Sequence, residues 1–166
     1  MSALILDAGA LVAVDRDDRA MVARLRAAQQ HGLDLRSNAM VIAQVWRDPH
    51  GRQVSLARLL HAVDVRTVTP QDGRNAGVLQ AAAGTSDPID ATVVLLAAPG
   101  DRILTSDPSD LTRLAEAAGN RPVIVACLSP RTNHQRHDRA FLVRRGLDKY
   151  AGHPSLCRGR PRCSER

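Results

Sequence analysis

Short, wholly apolar runs alternate along the first 128 positions with longer stretches whose apolar residues recur at helical spacing. Ala3–Leu6 (ALIL) is apolar throughout and stops at Asp7, as a buried strand ending on an acid does. AGALVAV follows, and the acids of DRDD (15–18) break the chain. From Arg19 to Gln30, Met21, Val22, Leu25 and Ala28 fall close to one helical face, and His31-Gly32 ends that helix. Asp34–Arg36 predicts a short strand, and Ser37 or Asn38 caps a helix through MVIAQVWR that Asp48-Pro49-His50-Gly51 breaks. Val54, Leu56, Leu59 and Leu60 predict another helix; Val63–Val68 (VDVRTV) alternates as a half-buried strand does. Thr69-Pro70-Gln71-Asp72 opens a helix through GVLQAAA that stops at Gly84-Thr85-Ser86. Pro88 starts the most apolar helix, which runs to Pro99-Gly100. Arg102–Thr105 reads as a strand, Leu111, Leu114, Ala115 and Ala118 as a helix closed by Gly119-Asn120, and Pro122–Ala126 as a last strand.

Strands and helices alternate, and several strands are apolar at every position. That pattern predicts an α/β fold: a central, mostly parallel sheet of about five strands with helices on both faces. After Leu128 the pattern fails. Residues 129–166 predict a weakly ordered tail with at most one short helix, Asp138–Leu147, so the chain divides into a domain over 1–128 and an appendage over 129–166.

Charge sharpens that division. The net charge is +6, yet residues 1–128 carry 13 Arg and 14 acids, while 129–166 carry 10 Arg and Lys against 3 acids. The basic character belongs to the tail, where it suits a polyanion or merely solvates the chain. Trp46, Phe141 and Tyr150 are the only aromatic residues, which leaves little scope for stacking nucleic-acid bases. Cys157 and Cys163 are spaced C-x5-C, unlike the usual zinc pairs, so free thiols in a reducing cytoplasm are the simpler expectation. The N-terminus does not read as a signal peptide, and no apolar run approaches the ~18 residues that a membrane span requires.

Candidate chemistry lies where strands end. In open parallel sheets, ligands bind at the carboxyl ends of strands. Asp7 ends the first strand, Asp107 follows the fourth, and Asp87 and Asp90 open the apolar helix. Carboxylates brought together repel, and a hard cation such as Mg²⁺ or Mn²⁺ relieves the conflict through oxygen ligands. Such an ion polarises a phosphodiester and activates water. Simpler roles compete: Asp107 suits a helix cap with Asp110 in its first turn, Asp87 suits a cap before Pro88, and Asp90 suits a helix dipole. Asp15, Asp17 and Asp18 read as a solvated cap run. No Gly-rich phosphate loop or Ser-His-Asp pattern stands against the acidic reading.

Taken together, LILDAGALVAV, VIAQVWRDPHGRQVSLARLL, DPIDATVVLLAA and ILTSDPSDL resemble the PIN domain, as in bacterial VapC-type toxin ribonucleases. The resemblance runs from about Leu4 to Val125. It implies a three-layer α/β/α sandwich and a Mg²⁺- or Mn²⁺-dependent endoribonuclease that is the toxin of a toxin–antitoxin pair. It also implies RNA as substrate, a small protein antitoxin as partner and a homodimer. By the same resemblance Asp7, Asp90 and Asp107 are the catalytic and metal-holding acids, with Asp110 as the neighbour of Asp107 and Thr105 and Ser106 supplying hydroxyls beside them; Asp87, one helical turn before Asp90, is a further candidate ligand by its spacing. The family's second acid, commonly a glutamate, is here Gln44, whose amide offers a carbonyl oxygen but no charge. Arg47 and Arg52, with Arg16, are candidates to position RNA phosphates.

Two other functions fit the sequence. Gln44 and the basic tail suit a PIN-like module that binds RNA or a partner without cutting. A phosphohydrolase using Asp7 as nucleophile is the third, although the Asp-x-Asp signature is replaced by Asp7-Ala8-Gly9.

Overall fold

Ala3–Leu6 forms strand β1 at the centre of the sheet, and every one of its residues is buried. Unbroken apolar sequence suits a strand with neighbours on both sides and helices on both faces. The structure is a computed structural model that describes residues 2–47, 50–120 and 122–127. The remaining elements are α1 (Ala8–Asp15), α2 (Arg19–Gln30), β2 (Asp34–Asn38), α3 (Ala39–Val45), α4 (Val54–Leu60), β3 (Asp64–Arg66), α5 (Pro70–Ala83), α6 (Pro88–Leu96), β4 (Arg102–Thr105), α7 (Pro108–Ala118) and β5 (Val123–Ala126). The expectations for the tail, among them the Asp138–Leu147 helix and the thiols of Cys157 and Cys163, lie outside the described residues.

The five strands pair in the order β3-β2-β1-β4-β5, and every pairing is parallel. Leu4 stands beside Leu35 on one side and Arg102 on the other. From β1 the chain first winds outward through β2 to β3, then crosses back to β4 and β5. Because parallel crossovers are right-handed, that reversal sends α5–α7 to the face opposite α1–α4. The helix contacts agree: α5, α6 and α7 pack on one another, and α1 packs on α2, α3 and α4. The result is the expected three-layer α/β/α sandwich.

Ile5, Leu6, Leu11, Leu56, Ile103, Leu104, Leu111 and Leu114 are among the fully buried residues that join sheet to helices. Truncating any of these leucines to alanine should cost about 2–5 kcal/mol. Local signals set the helix ends. Thr69 and Asp72 form a reciprocal capping box at the start of α5, and the Thr69 hydroxyl and N–H, both donating to the Asp72 carboxylate, hold that carboxyl below its usual range. Gly84 and Gly119 close α5 and α7 in the left-handed conformation (φ 66° and 68°).

Two strands differ from expectation. β2 extends two residues past Arg36, so that Ser37 and Asn38 reach the carboxyl edge, and Asn38 then caps α3. β3 covers only Asp64–Arg66 and all three residues are exposed, so the half-buried alternation over 63–68 is not realised. β3 is an outer strand paired on one side, and charges flanking Val65 discourage further pairing there. Among the described residues, no helix is long and apolar enough to cross a membrane.

Candidate active site

The strand order reverses between β1 and β4, and a crevice opens beyond the carboxyl ends of strands at such a switch point. Asp7 and Thr105 stand side by side there, one step past the Leu6–Leu104 pair. The Asp7 N–H donates to the Leu104 carbonyl at 3.1 Å, which extends the ladder to the acid itself.

Asp7 is 5% exposed and is the N-cap of α1. Its Oδ1 accepts the Ala8 N–H at 2.6 Å, and its Oδ2 accepts the Thr105 hydroxyl at 2.8 Å. The same Thr105 oxygen accepts the Asp107 N–H at 3.0 Å. One fully buried hydroxyl therefore fixes the Asp7 carboxylate and the backbone of Asp107 together. Asp107 occupies the N-cap position of α7, yet its exposed side chain makes no cap hydrogen bond to that helix. The plain capping role is thus not the one its carboxylate performs.

Gly9 explains how the two loops come so close. A Cβ at Gly9 would meet the Ser106 hydroxyl, would lie 2.6 Å from the Ser106 Cβ and 2.9 Å from its backbone nitrogen. Only a residue without a side chain lets the first turn of α1 lie against the β4–α7 loop. Ser106 is exposed and held by this contact.

Asp90 arrives from the other face. α6 leads into β4, so its first turn lies at the carboxyl edge, and Asp90 there is 2% exposed. The position is fixed through β2. The Asn38 amide donates to the Thr92 hydroxyl at 3.1 Å, and the Ser37 hydroxyl donates to the Leu6 carbonyl at 2.9 Å. Asp7 and Asp107 are thus joined at this edge through the Thr105 hydroxyl, and Asp90 lies at the same edge of the sheet in the first turn of α6. α1, α3, α6 and α7 begin there as well, and the positive ends of their dipoles favour negative charge.

Asp87 caps α6 by accepting the Ile89 N–H at 2.9 Å, and Asp110 pairs with Arg113 at 2.6 Å, so each has a structural task of its own. Gln44 lies on α3, which packs against both α1 and α6, and its Oε1 is buried with no hydrogen-bond partner. Leaving an acceptor in that state costs about 1–3 kcal/mol, so the amide oxygen suits a cation or a donor.

The arginines fall elsewhere. Arg47 turns back on its own helix, its Nη1 donating to the carbonyls of Ala43 and Trp46 at 2.8 Å each. Arg52 is exposed before α4, and Arg16 caps the end of α1 opposite Asp7. The DRDD run is less solvated than expected: Asp18 caps α2, while Asp15 and Asp17 accept from Gln53 and Ser55 at 2.9 and 2.6 Å and so tie α1 to α4.

Beyond β4, the Cys127 N–H donates to the Thr105 carbonyl at 2.6 Å. Burial raises the thiol pKa to about 11; the Asp7 charge adds to that and Arg24 opposes it, with a further rise from Asp18. Gly9, Arg24 and Cys127 carry no sequence signal of a site, because contacts with Ser106, Ala126 and Thr105 define their roles.

The donors at this edge are all oxygens, which suits a hard cation such as Mg²⁺ or Mn²⁺. Among the described residues no group of three or more His, Cys, Asp or Glu side chains stands ready to hold a metal ion. Mg²⁺ does not require one, since it is commonly held by one or two carboxylates together with water and a substrate phosphate. The residues present therefore fit an open site that substrate completes. No protein-family model matches the chain, and no curated protein matches it.

Proposed function

We propose that this protein is a metal-dependent endoribonuclease of the PIN type. The observation that carries the reading is the Thr105 hydroxyl, which holds the Asp7 carboxylate and the Asp107 backbone together at the switch point of the sheet. Asp7 is positioned by two donors, Asp107 offers an exposed carboxylate not spent on its helix, and Asp90 adds a buried acid from α6. One or two of the carboxylates of Asp7, Asp90 and Asp107 would hold Mg²⁺ or Mn²⁺ at a time, with water, the substrate phosphate and the Gln44 carbonyl oxygen as neutral or substrate-borne supplements. When bound, the ion supplies charge to polarise a phosphodiester and lowers the pKa of water. The helix starts around the edge favour the phosphate that the acids alone would repel.

The likeness to VapC-type toxins extends the proposal to a cytoplasmic toxin that acts as a homodimer and is silenced by a small protein antitoxin. RNA cleavage with and without Mn²⁺, run on the wild type, Asp7→Ala and Asp107→Ala, tests the reading. Metal-dependent cleavage abolished by both substitutions is expected. Cleavage indifferent to metal, or to both substitutions, rejects it.

Gln44 supports a second reading, a PIN-like module that binds RNA without cutting it. An amide in place of a carboxylate removes one negative charge from the metal's surroundings. In that case wild-type cleavage is near zero in Mn²⁺ and Gln44→Glu raises it; a wild type already as active as Gln44→Glu excludes this reading.

A further inference from the structure

Arg24 stands on the second turn of α2, and its Nη1 donates to the Ala126 carbonyl at 3.1 Å. This contact joins residues 102 positions apart in sequence. Ala126 is the last residue of β5, and the peptide it shares with Cys127 is part of the site's framework. The N–H of that peptide donates to the Thr105 carbonyl, and the Thr105 hydroxyl donates to Asp7. The guanidinium is therefore fixed on one side of a peptide whose other side is bonded to the residue that orients Asp7. The Cys127 thiol feels the charges of Asp7, Arg24 and Asp18, in keeping with the hydrogen-bonded path from Arg24 through the Ala126–Cys127 peptide to Thr105. Arg24 is half-buried, and one of its five N–H donors is spent on Ala126. A planar cation anchored at one nitrogen beside an acidic edge is prearranged to take a phosphate with the others. Arg47, the nearest rival from the sequence, has turned its Nη1 onto its own helix.

We propose that Arg24 binds a backbone phosphate of single-stranded RNA lying across the carboxyl edge, adjacent to the phosphate presented to Asp7 and Asp107. The inference rests on the ribonuclease reading and adds to it the direction of the strand's path: from the acids toward β5 and α2, not toward α3. In this role Arg24 is a positioning residue; it touches a neighbouring phosphate and not the reacting one.

The test is fluorescence anisotropy of a labelled single-stranded RNA, titrated with the full chain in Ca²⁺ over a series of salt concentrations. Wild type, Arg24→Gln and Arg24→Lys are compared, and thermal unfolding is recorded for each. Arg24→Gln should bind roughly tenfold more weakly, and its plot of log affinity against log salt should be shallower by about 0.7, the contribution of one phosphate contact to a single strand. Arg24→Lys should restore the slope and only part of the affinity, since ammonium keeps the charge but loses the planar fork. An unchanged slope in Arg24→Gln, whether or not the melting temperature falls, overturns the proposal and leaves Arg24 as a tie between α2 and β5. The ribonuclease reading would then still stand on metal-dependent cleavage. RNA that fails to bind the wild type at all overturns both.

Discussion

Two buried aspartates stand at opposite ends of the same sheet and are held by different kinds of partner. Asp101 sits at the amino edge, 2% exposed, just before β4. Its Oδ1 accepts the Ala3 N–H at 2.7 Å, its Oδ2 accepts the Ala98 N–H at 2.9 Å, and the Arg36 guanidinium lies 3.7 Å away. Its backbone carbonyl also accepts the Val123 N–H at 2.9 Å. This one residue gathers the beginnings of β1, β4 and β5 and the end of α6. Asp7, at the carboxyl edge, is bonded to its own helix start and to a hydroxyl. Asp101 ties together stretches of backbone from three strands and a helix end, whereas the Asp7 carboxylate bonds its own helix start and one side chain of the neighbouring strand.

The sharpest test sets the two acids against each other. Asp7→Asn should lower metal-dependent RNA cleavage by at least ~10³-fold while the urea midpoint changes little, because the amide keeps the shape and loses the charge. Asp101→Ala should do the reverse: two buried N–H groups lose their acceptor, at a cost of about 2–4 kcal/mol in unfolding free energy, and cleavage per folded molecule is retained. Equal losses of activity at both positions would erase the distinction between the edges.

Cys127 reports on the carboxyl edge from a neighbouring strand. With its pKa raised to about 11 from 9.0, the folded thiol should alkylate roughly a hundredfold more slowly than an ordinary cysteine near pH 8, as followed by peptide mass spectrometry. The stabilisation that comes from keeping this thiol protonated is complete below about pH 9 and is lost as the pH climbs toward about 11. Asp7→Asn should speed its alkylation, since the Asp7 charge holds the proton on. No change in rate would show that the Asp7 charge does not act on the thiol.

Gly9→Ala gives the smallest effect. The new methyl would press on Ser106, including its backbone nitrogen at 2.9 Å, and relief requires the β4–α7 loop to shift. A stability loss of about 1–3 kcal/mol is expected, with a drop in cleavage larger than that of an exposed Gly77→Ala control, where a Cβ meets nothing. Equal activity of the two variants would show that the loop contact is dispensable.

Much of this architecture was legible in the chain. ALIL, and Ile103-Leu104 within RILT, are apolar up to the residue where an acid or hydroxyl intervenes, and that change marks both the end of a central strand and the position of a polar group at the sheet's edge. Capping residues such as Asn38, Thr69 and Asp87 announce themselves locally, since their partners lie within three positions. Asp101 was not legible: after Pro99-Gly100 it reads as one more turn acid, and only its bond to Ala3, 98 positions away, gives it a task. Arg24 is hidden in the same way, as one of several arginines on a helix until Ala126 comes beside it. Val65 misled because alternation describes a strand with a covered face, and an outer strand of three residues has none.

The central pairing has a consequence for how the protein comes into being. β1 waits for β4, which joins it 98 positions later at the Leu4–Arg102 pair, so this contact is among the slowest kind to form. During synthesis a nascent chain that has not reached position 105 has Asp7 but neither Thr105 nor Asp107 to stand beside it. A polypeptide that ends before β4 therefore lacks the partner that orients Asp7, and this edge of the sheet takes shape only after β4 has been made.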